Sequence, residues 1–257
     1  MEDWVWGEED HSRSTPEIII EGNASSVAAG NDHTLVVLEN GSLWGFGAKS
    51  DGALGTTRGG TTRIPIQILE ANVTTVDAGN QHSYILMNDG SLWGTGRNHF
   101  GQLGDSNTSS KLAIKKIVDD GVVAISSGWQ FGLFLKSNGS LWGMGQNGNG
   151  QLGDGTTTNR TTPFQIVEGG VHSISAGSHH SLFLKTDGSL WAIGNNGSGR
   201  LGDGTSTQVL SPKKILSYGV VEISAGSHNS FFLKSDGTLW GMGHNGKGQL
   251  ATGSANS

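Results

Sequence analysis

The sequence predicts an all-β protein, a β-propeller of four-stranded blades, on three observations. Trp44, Trp93, Trp142, Trp191 and Trp240 recur at a constant spacing of 49 residues. Each follows an Asx-Gly pair set between two apolar runs: Asn40-Gly41, Asp89-Gly90, Asn138-Gly139, Asp187-Gly188 and Asp236-Gly237. Such a pair is the strongest short-range hairpin signal. Glycine makes up 43 of 257 residues and proline only 4. That excludes a proline-rich linker and points to tight turns in a compact structure. Self-similarity at about 40–50 residues with several strands per unit is the period of a propeller blade.

The fourth unit justifies the strands in order. Val171-His172-Ser173-Ile174-Ser175-Ala176 reads as the first strand and Ser181-Leu182-Phe183-Leu184-Lys185 as the second. Asp187-Gly188 turns the chain into Ser189-Leu190-Trp191-Ala192-Ile193-Gly194. A fourth strand follows a polar loop, as in Pro163-Phe164-Gln165-Ile166-Val167, and its leading proline suits a sheet edge, where no N–H donor is needed. No segment carries a capped 3.6-residue pattern. The repeat extends beyond tryptophan. Gly101-Gln102-Leu103-Gly104-Asp105 returns as Gly150-Gln151-Leu152-Gly153-Asp154 and Gly199-Arg200-Leu201-Gly202-Asp203. Ala29-Gly30 returns as Ala78-Gly79, Ser127-Gly128, Ala176-Gly177 and Ala225-Gly226. The repeat glycines are expected to supply positive φ in tight turns.

A single domain over 1–257 is expected, with residues 1–23 as closing strands. Trp4-Val5-Trp6-Gly7 matches the tryptophan strand, and Pro16-Glu17-Ile18-Ile19-Ile20 matches the fourth strand. The fifth unit stops after Leu239-Trp240-Gly241-Met242-Gly243, so Ile18–Ile20 is expected to complete it and close a five-bladed ring. Trp4–Trp6 is redundant in that arrangement. The alternative is part of a six- or seven-bladed ring completed by further blades or a second chain; otherwise a monomer is expected.

Charge and composition exclude several function classes. There are 16 Lys+Arg against 22 Asp+Glu, a net charge of −6 with no basic tail, which disfavours nucleic acid as a partner. Without cysteine there is no disulfide, thiolate metal site or cysteine nucleophile. No apolar run approaches the ~20 residues of a membrane helix, so no membrane partner is expected. Met1-Glu2-Asp3-Trp4 lacks the basic and apolar regions of a signal peptide. The compartment stays open.

The unit over residues 176–204, Ala-Gly-x-x-His-Ser-Leu-Phe-Leu-Lys-x-Asp-Gly-Ser-Leu-Trp-x-x-Gly-x-Asn-x-x-Gly-x-Leu-Gly-Asp-Gly, resembles the regulator of chromosome condensation repeat. The resemblance covers 24–257 and extends to the bacterial branch that includes a secreted β-lactamase inhibitor. It implies a propeller, commonly of seven blades; five tryptophan units depart from that number. In the inhibitor branch, aromatic loop residues contact the partner protein.

Candidate functional residues separate by whether they repeat. The five tryptophans occupy one strand slot and are expected to wedge blade against blade. The loops around Asp154 and Asp203, with the variant Asp105, offer one carboxylate each, where calcium needs six or more oxygens. Asx turns explain them, and no metal or cofactor is expected. His33, His82 and His180 share a slot filled elsewhere by Phe131 and Asn229; His179 and His228 lie one place earlier. Imidazoles near the axis would allow a hydrolase or lyase built on His82, His179 and His180. A slot that accepts Phe and Asn is not a strict catalytic set, and no matching carboxylate pair or activated serine accompanies it. No catalytic residue is therefore assigned.

Arg97, His99, Phe100, Trp129 and Phe131 break the repeat in consecutive units and are the expected binding residues. Aromatics and arginine are enriched at binding hot spots. The expected function is a non-enzymatic protein-binding propeller that uses one loop face. A carbohydrate-binding propeller is a further alternative, which equivalent pockets in every unit would favour.

Overall fold

The computed structural model describes residues 15–56 and 60–253. Five antiparallel sheets follow one another along the chain, each a meander. Blade one comprises β1 (Ala24–Ala29), β2 (His33–Leu38), β3 (Leu43–Ala48) and β4 (Thr61–Leu69). Blade two comprises β5 (Val73–Ala78), β6 (His82–Met87), β7 (Leu92–Gly96) and β8 (Lys111–Val118). Blade three has β9 (Val122–Ser127), β10 (Phe131–Lys136), β11 (Leu141–Gly145) and β12 (Arg160–Val167). Blade four has β13 (Val171–Ala176), β14 (His180–Lys185), β15 (Leu190–Gly194) and β16 (Val209–Leu216). Blade five has three strands, β17 (Val220–Ala225), β18 (Asn229–Lys234) and β19 (Leu239–Gly243). Pro65, Pro163 and Pro212 lie on the outer strands β4, β12 and β16, as the missing donor requires.

A sheet with two apolar faces is stable only between neighbours. Four hydrophobic clusters meet that need, one at each junction between consecutive blades. Between blades one and two, Leu35, Val37, Leu43 and Leu54 pack on Val73, Val76, Ile85 and Trp93. The other three junctions repeat this arrangement. The inner strands β1, β5, β9, β13 and β17 contact one another in sequence. All five blades line an axial cavity of about 380 Å³.

Each hairpin is a small polar unit. Asp187 Oδ1 accepts the Ser189 N–H at 2.9 Å and the Ser189 hydroxyl, whose Oγ accepts the Trp191 indole N–H at 2.8 Å. The same chain of bonds recurs at Trp44, Trp93, Trp142 and, with Thr238, at Trp240. Gly188 sits at φ 76°, and its carbonyl accepts the Val220 N–H that opens the next blade. The Asx-Gly pair therefore turns the chain and also ties two blades together. Trp93, Trp142 and Trp191 pack against the seam clusters and are themselves only partly buried. Trp142 and Trp191 stack on Phe134 and Phe183, with Lys136 and Lys185 over their rings.

The ends differ from expectation. Ile18–Ile20 forms no strand and does not pair with β19; Ile18 and Ile19 are exposed. Among the described residues no hydrophobic cluster joins blade five to blade one, and Ile18–Ile20 does not close the ring. Glu39 N–H donates to the Asn23 carbonyl, as Asn88, Ser137, Thr186 and Ser235 N–H donate to Asn72, Gly121, Gly170 and Gly219 at the other blade entries. The entry to blade one is therefore built like the others, and nothing in it explains why Ile18–Ile20 stays off β19. Trp4–Trp6 lies outside the described residues.

One slot in two environments gives a direct test. Trp142 is held in a seam, whereas Trp240 on the open blade is 50% exposed. Trp142→Ala should cost about 3–5 kcal/mol. Trp240→Ala should cost less, about 2 kcal/mol, since half of the indole is already exposed. Urea unfolding of the two variants measures the difference.

Candidate functional site

The loops joining first to second and third to fourth strands open at the same end of every blade. Their backbones are joined there: Ala48, Arg97, Gln146, Asn195 and His244 N–H donate to the carbonyls of Asp32, Gln81, Gln130, His179 and His228. The sequence-predicted binding residues belong to these loops in blades two and three.

Beneath this rim runs a polar staple. His33 Nε2 lies 2.8 Å from Ser83 Oγ of the next blade, which donates to the Ala53 carbonyl at 2.7 Å. His180 Nε2 meets Ser230 Oγ at 2.8 Å, and Ser230 donates to the Arg200 carbonyl. Each imidazole lies directly over the repeat glycine, where a Cβ at Gly30, Gly79 or Gly177 would overlap the ring. These glycines do not have positive φ. The turn explanation expected for them is corrected: they are required by the close approach of a ring.

The seam between blades two and three is built differently. Its serine slot holds Gly132, where the other units have Thr34, Ser83, Ser181 and Ser230. A Cβ there would overlap the Tyr84 ring, which fills the space. The Tyr84 hydroxyl donates to the Gln102 carbonyl, the bond that Ser83, Ser181 and Ser230 make in their own seams. Tyr84 occupies a slot held elsewhere by Leu35, Leu133, Leu182 and Phe231. The two departures are one compensated change. With the serine gone, both His82 ring nitrogens lie buried without a hydrogen-bond partner. Asp77 replaces the serine of Ser126 and Ser175 and accepts the Ser127 and Ala78 N–H groups at 2.7 and 2.8 Å. Burial raises its carboxyl above the usual range. Tyr84, Gly132 and Asp77 escaped the sequence reading, although each departs from its aligned slot.

The candidate residues separate by exposure. Trp129 is 41% exposed at the mouth of the axial cavity. Its carbonyl accepts the Asn80 N–H, and the adjacent Gln81 accepts Arg97 at 2.6 Å. Arg97 Nε meets His99 Nδ1 at 3.2 Å. His99 is exposed and Phe100 half-buried on the same loop. Phe131 is fully buried over Gly128 in the hydrophobic seam and leaves the set of surface candidates. It replaces the imidazole sterically, and no part of it reaches the rim.

The histidines do not line the axis. The cavity wall is Ala, Gly, Asn and Ser around the single Trp129. His82 and His180 are wholly buried, and burial lowers both pKa values to about 3. Only His179 is half-exposed; burial, then Arg200 and His228, lowers its pKa. The loop carboxylates are engaged within the fold. Asp154 accepts Asn147, Thr156 and Arg160, the last at 2.6 Å, and Asp203 accepts Asn196, Thr205 and Lys213. No group of three potential metal ligands occurs among the described residues.

The model of the RCC1-like domain matches residues 3–257. Human WBSCR16 has a similar structure, with a TM-score of 0.79 and 25% identity, over 88% of this chain and 63% of that one. Prp20p from Saccharomyces cerevisiae, described with its binding to Gsp1p and histones, gives 0.74 and 23% over 85% of this chain and 56% of that one. Yeast RCC1 (Prp20) bound to Kap60 gives 0.70 and 19%, over 90% and 72%. The chain thus spans less than two thirds of the length of the first two. No curated protein matches.

Two predictions test the seams. Gly132→Ser and Tyr84→Leu should each destabilise, the first by overlap and the second by a cavity. The double variant, which restores the repeat, should recover by a coupling of about 0.5–3 kcal/mol in a denaturation cycle. The second concerns pH. Burial lowers the pKa of His33 to about 4, and of His82 and His180 to about 3. Their unfolded forms take up protons first, so stability is complete above about pH 6.5 and falls as pH drops toward 4, by up to about 1.4 kcal/mol per histidine per pH unit. Asp77, raised by burial, works in the opposite sense and offsets part of the loss. His180→Asn, the residue at Asn229, should flatten the dependence of melting temperature on pH.

Proposed function

The chain belongs to the RCC1-like domain family, and from that premise we propose a non-enzymatic scaffold that binds a protein through the loop rim over blades two and three. The single observation behind this reading is where the exposed departures fall. Trp129, Arg97, His99 and Phe100 lie on consecutive blades of one rim and are linked through Asn80 and Gln81. An exposed indole and, on the adjoining loop, a guanidinium held by Gln81 have the composition of an interface anchor. Prp20p, described with its binding to Gsp1p and histones, and yeast RCC1 bound to Kap60 offer precedents for protein partners on this fold. A hydrolase or lyase would depend on His82, His179 and His180; the first and last have no exposed surface, and the half-exposed His179 has no carboxylate or nucleophile among its hydrogen-bond partners. Equivalent sugar pockets in each unit are not supported, since Trp129 is the only aromatic residue in the cavity wall.

The test compares proteins captured from source extract by wild type, Trp129→Ala/Phe100→Ala and Arg97→Ala. The expected outcome is loss of specific partners in the variants, with melting temperatures within a few degrees of wild type. Unchanged capture together with a large fall in stability would assign these side chains to packing and end the proposal.

A further inference from the structure

A second group of departures from the repeat falls on the same rim, over blades four and five. The slot of Gln102, Gln151 and Gln249 holds Arg200, and the slot of Gln81 and Gln130 holds His179 and His228. The glutamine has a local task. Oε1 of Gln102, Gln151 and Gln249 accepts the N–H of Phe100, Asn149 and Lys247 within its own loop. An arginine has no acceptor and cannot replace that bond. Its loop turns instead through Ser198 at φ 60°, and blade one, with Ala53 in the slot, turns likewise through Asp51 at φ 54°. Phe100, Asn149 and Lys247 do not have positive φ. The exchange of glutamine for arginine therefore removes a bond from the loop and strains it. The needs of the loop do not account for it.

What the exchange supplies is a guanidinium in the seam between blades four and five. Arg200 Nε donates to the Gly197 carbonyl at 3.0 Å, and Nη1 crosses the seam to the Ser227 carbonyl at 3.0 Å. Nη2 has no hydrogen-bond partner among the described residues and lies beside the exposed Gly197, where a Cβ would stand 3.4 Å from it. Arg200 is only 6% exposed, yet among the described residues no carboxylate pairs with it. Other cations beside these loops are neutralised: Lys111 by Asp105, Arg160 by Asp154 and Lys213 by Asp203, the acid of Arg200's own loop. A buried charge without a counter-charge is costly. Further donors surround it. Arg200 and His228 are the charges acting on the half-buried His179, with no acid among them. His228 is exposed, and His244 packs edge-on to it with ring centroids 6.4 Å apart. The Ser178 and Ser227 hydroxyls meet across the same seam at 3.0 Å.

We propose that the rim at the seam between blades four and five binds a phosphate monoester, held by Arg200, His179 and His228. A carboxylate offers two oxygens, whereas a phosphate monoester offers three and carries a charge of about −1.5 to −2. A guanidinium takes two oxygens side by side, which leaves the third to an imidazole N–H. The cluster shares no residue with the stretch of rim over blades two and three, so each reading stands or falls alone.

Calorimetric titration with inorganic phosphate tests the proposal, read together with the imidazole Cε1–H proton signals. Phosphate should bind one to one, move the signals of His179 and His228, and leave that of the exposed His172 in place. Arg200→Gln and the double variant His179→Gln/His228→Gln install the residues that the repeat carries at those slots. Each should weaken phosphate binding by about tenfold or more, with melting temperatures in phosphate-free buffer within a few degrees of wild type. If Arg200→Gln fails to fold, the histidine variant decides alone. Phosphate binding that survives these substitutions would overturn the proposal, as would a His172 signal that moves with the others, or acetate binding as tightly as phosphate. A short peptide carrying phosphoserine identifies the source of the group. Tighter binding than inorganic phosphate assigns a phosphorylated protein segment, and equal or weaker binding assigns a small phosphate ester.

Discussion

Every feature of this molecule depends on burying the two apolar faces of each sheet against neighbouring sheets. A lone four-stranded blade has no core of its own, so stability resides in the seams. At each seam the same devices recur: an aliphatic cluster at the centre, a hairpin carbonyl accepting the first N–H of the next blade, and a buried polar bond beneath the rim. At the seams joining blades one to two and four to five that bond is the histidine–serine pair. The indoles sit at the outer edge, oriented by the serine of their own hairpin. Blade identity is therefore written twice, once in the strand and once in the turn.

The period and the strand boundaries were legible because backbone geometry repeats with the sequence. β12, β13, β14 and β15 fall where proline, aliphatic runs and Asp-Gly place them. The reason for the repeat glycine before the histidine was not legible. Sequence cannot distinguish a glycine needed for φ from one needed for a ring lying on it, and Gly30, Gly79 and Gly177 belong to the second kind. The closing role of Ile18–Ile20 was legible as a pattern and unrealised as a contact. Pattern specifies which edge a strand fits, and it does not by itself bring the strand to that edge.

The candidate site was partly legible for a related reason. Departures from a repeat mark positions where something other than the common fold acts, but they are of two physical kinds. Gly132 and Tyr84 are paired: one removes a side chain, the other fills the space and restores the bond to the Gln102 carbonyl. Phe131 is buried against Gly128 and is explained by packing alone. Aligned sequence shows all three as departures with no indication that they face inward. Their burial does.

Trp129, Arg97 and His99 have no such internal account. The indole contributes little to any seam, and Arg97 is oriented by Gln81 and His99 rather than by a carboxylate. Scattered exposed apolar residues need no special explanation, but Trp129 is the aromatic in the wall of the axial cavity, and Arg97 is preordered by Gln81 on the adjoining loop. The altered seam beneath them carries the half-buried Asp77 and the buried Tyr84 in place of the repeat's serine and leucine, and leaves the buried His82 without its serine partner. Buried polar groups of this kind make a junction more sensitive to small displacements. The seams on either side of blade three both depart from the repeat, and the departures of the rim fall on the blades that those seams join.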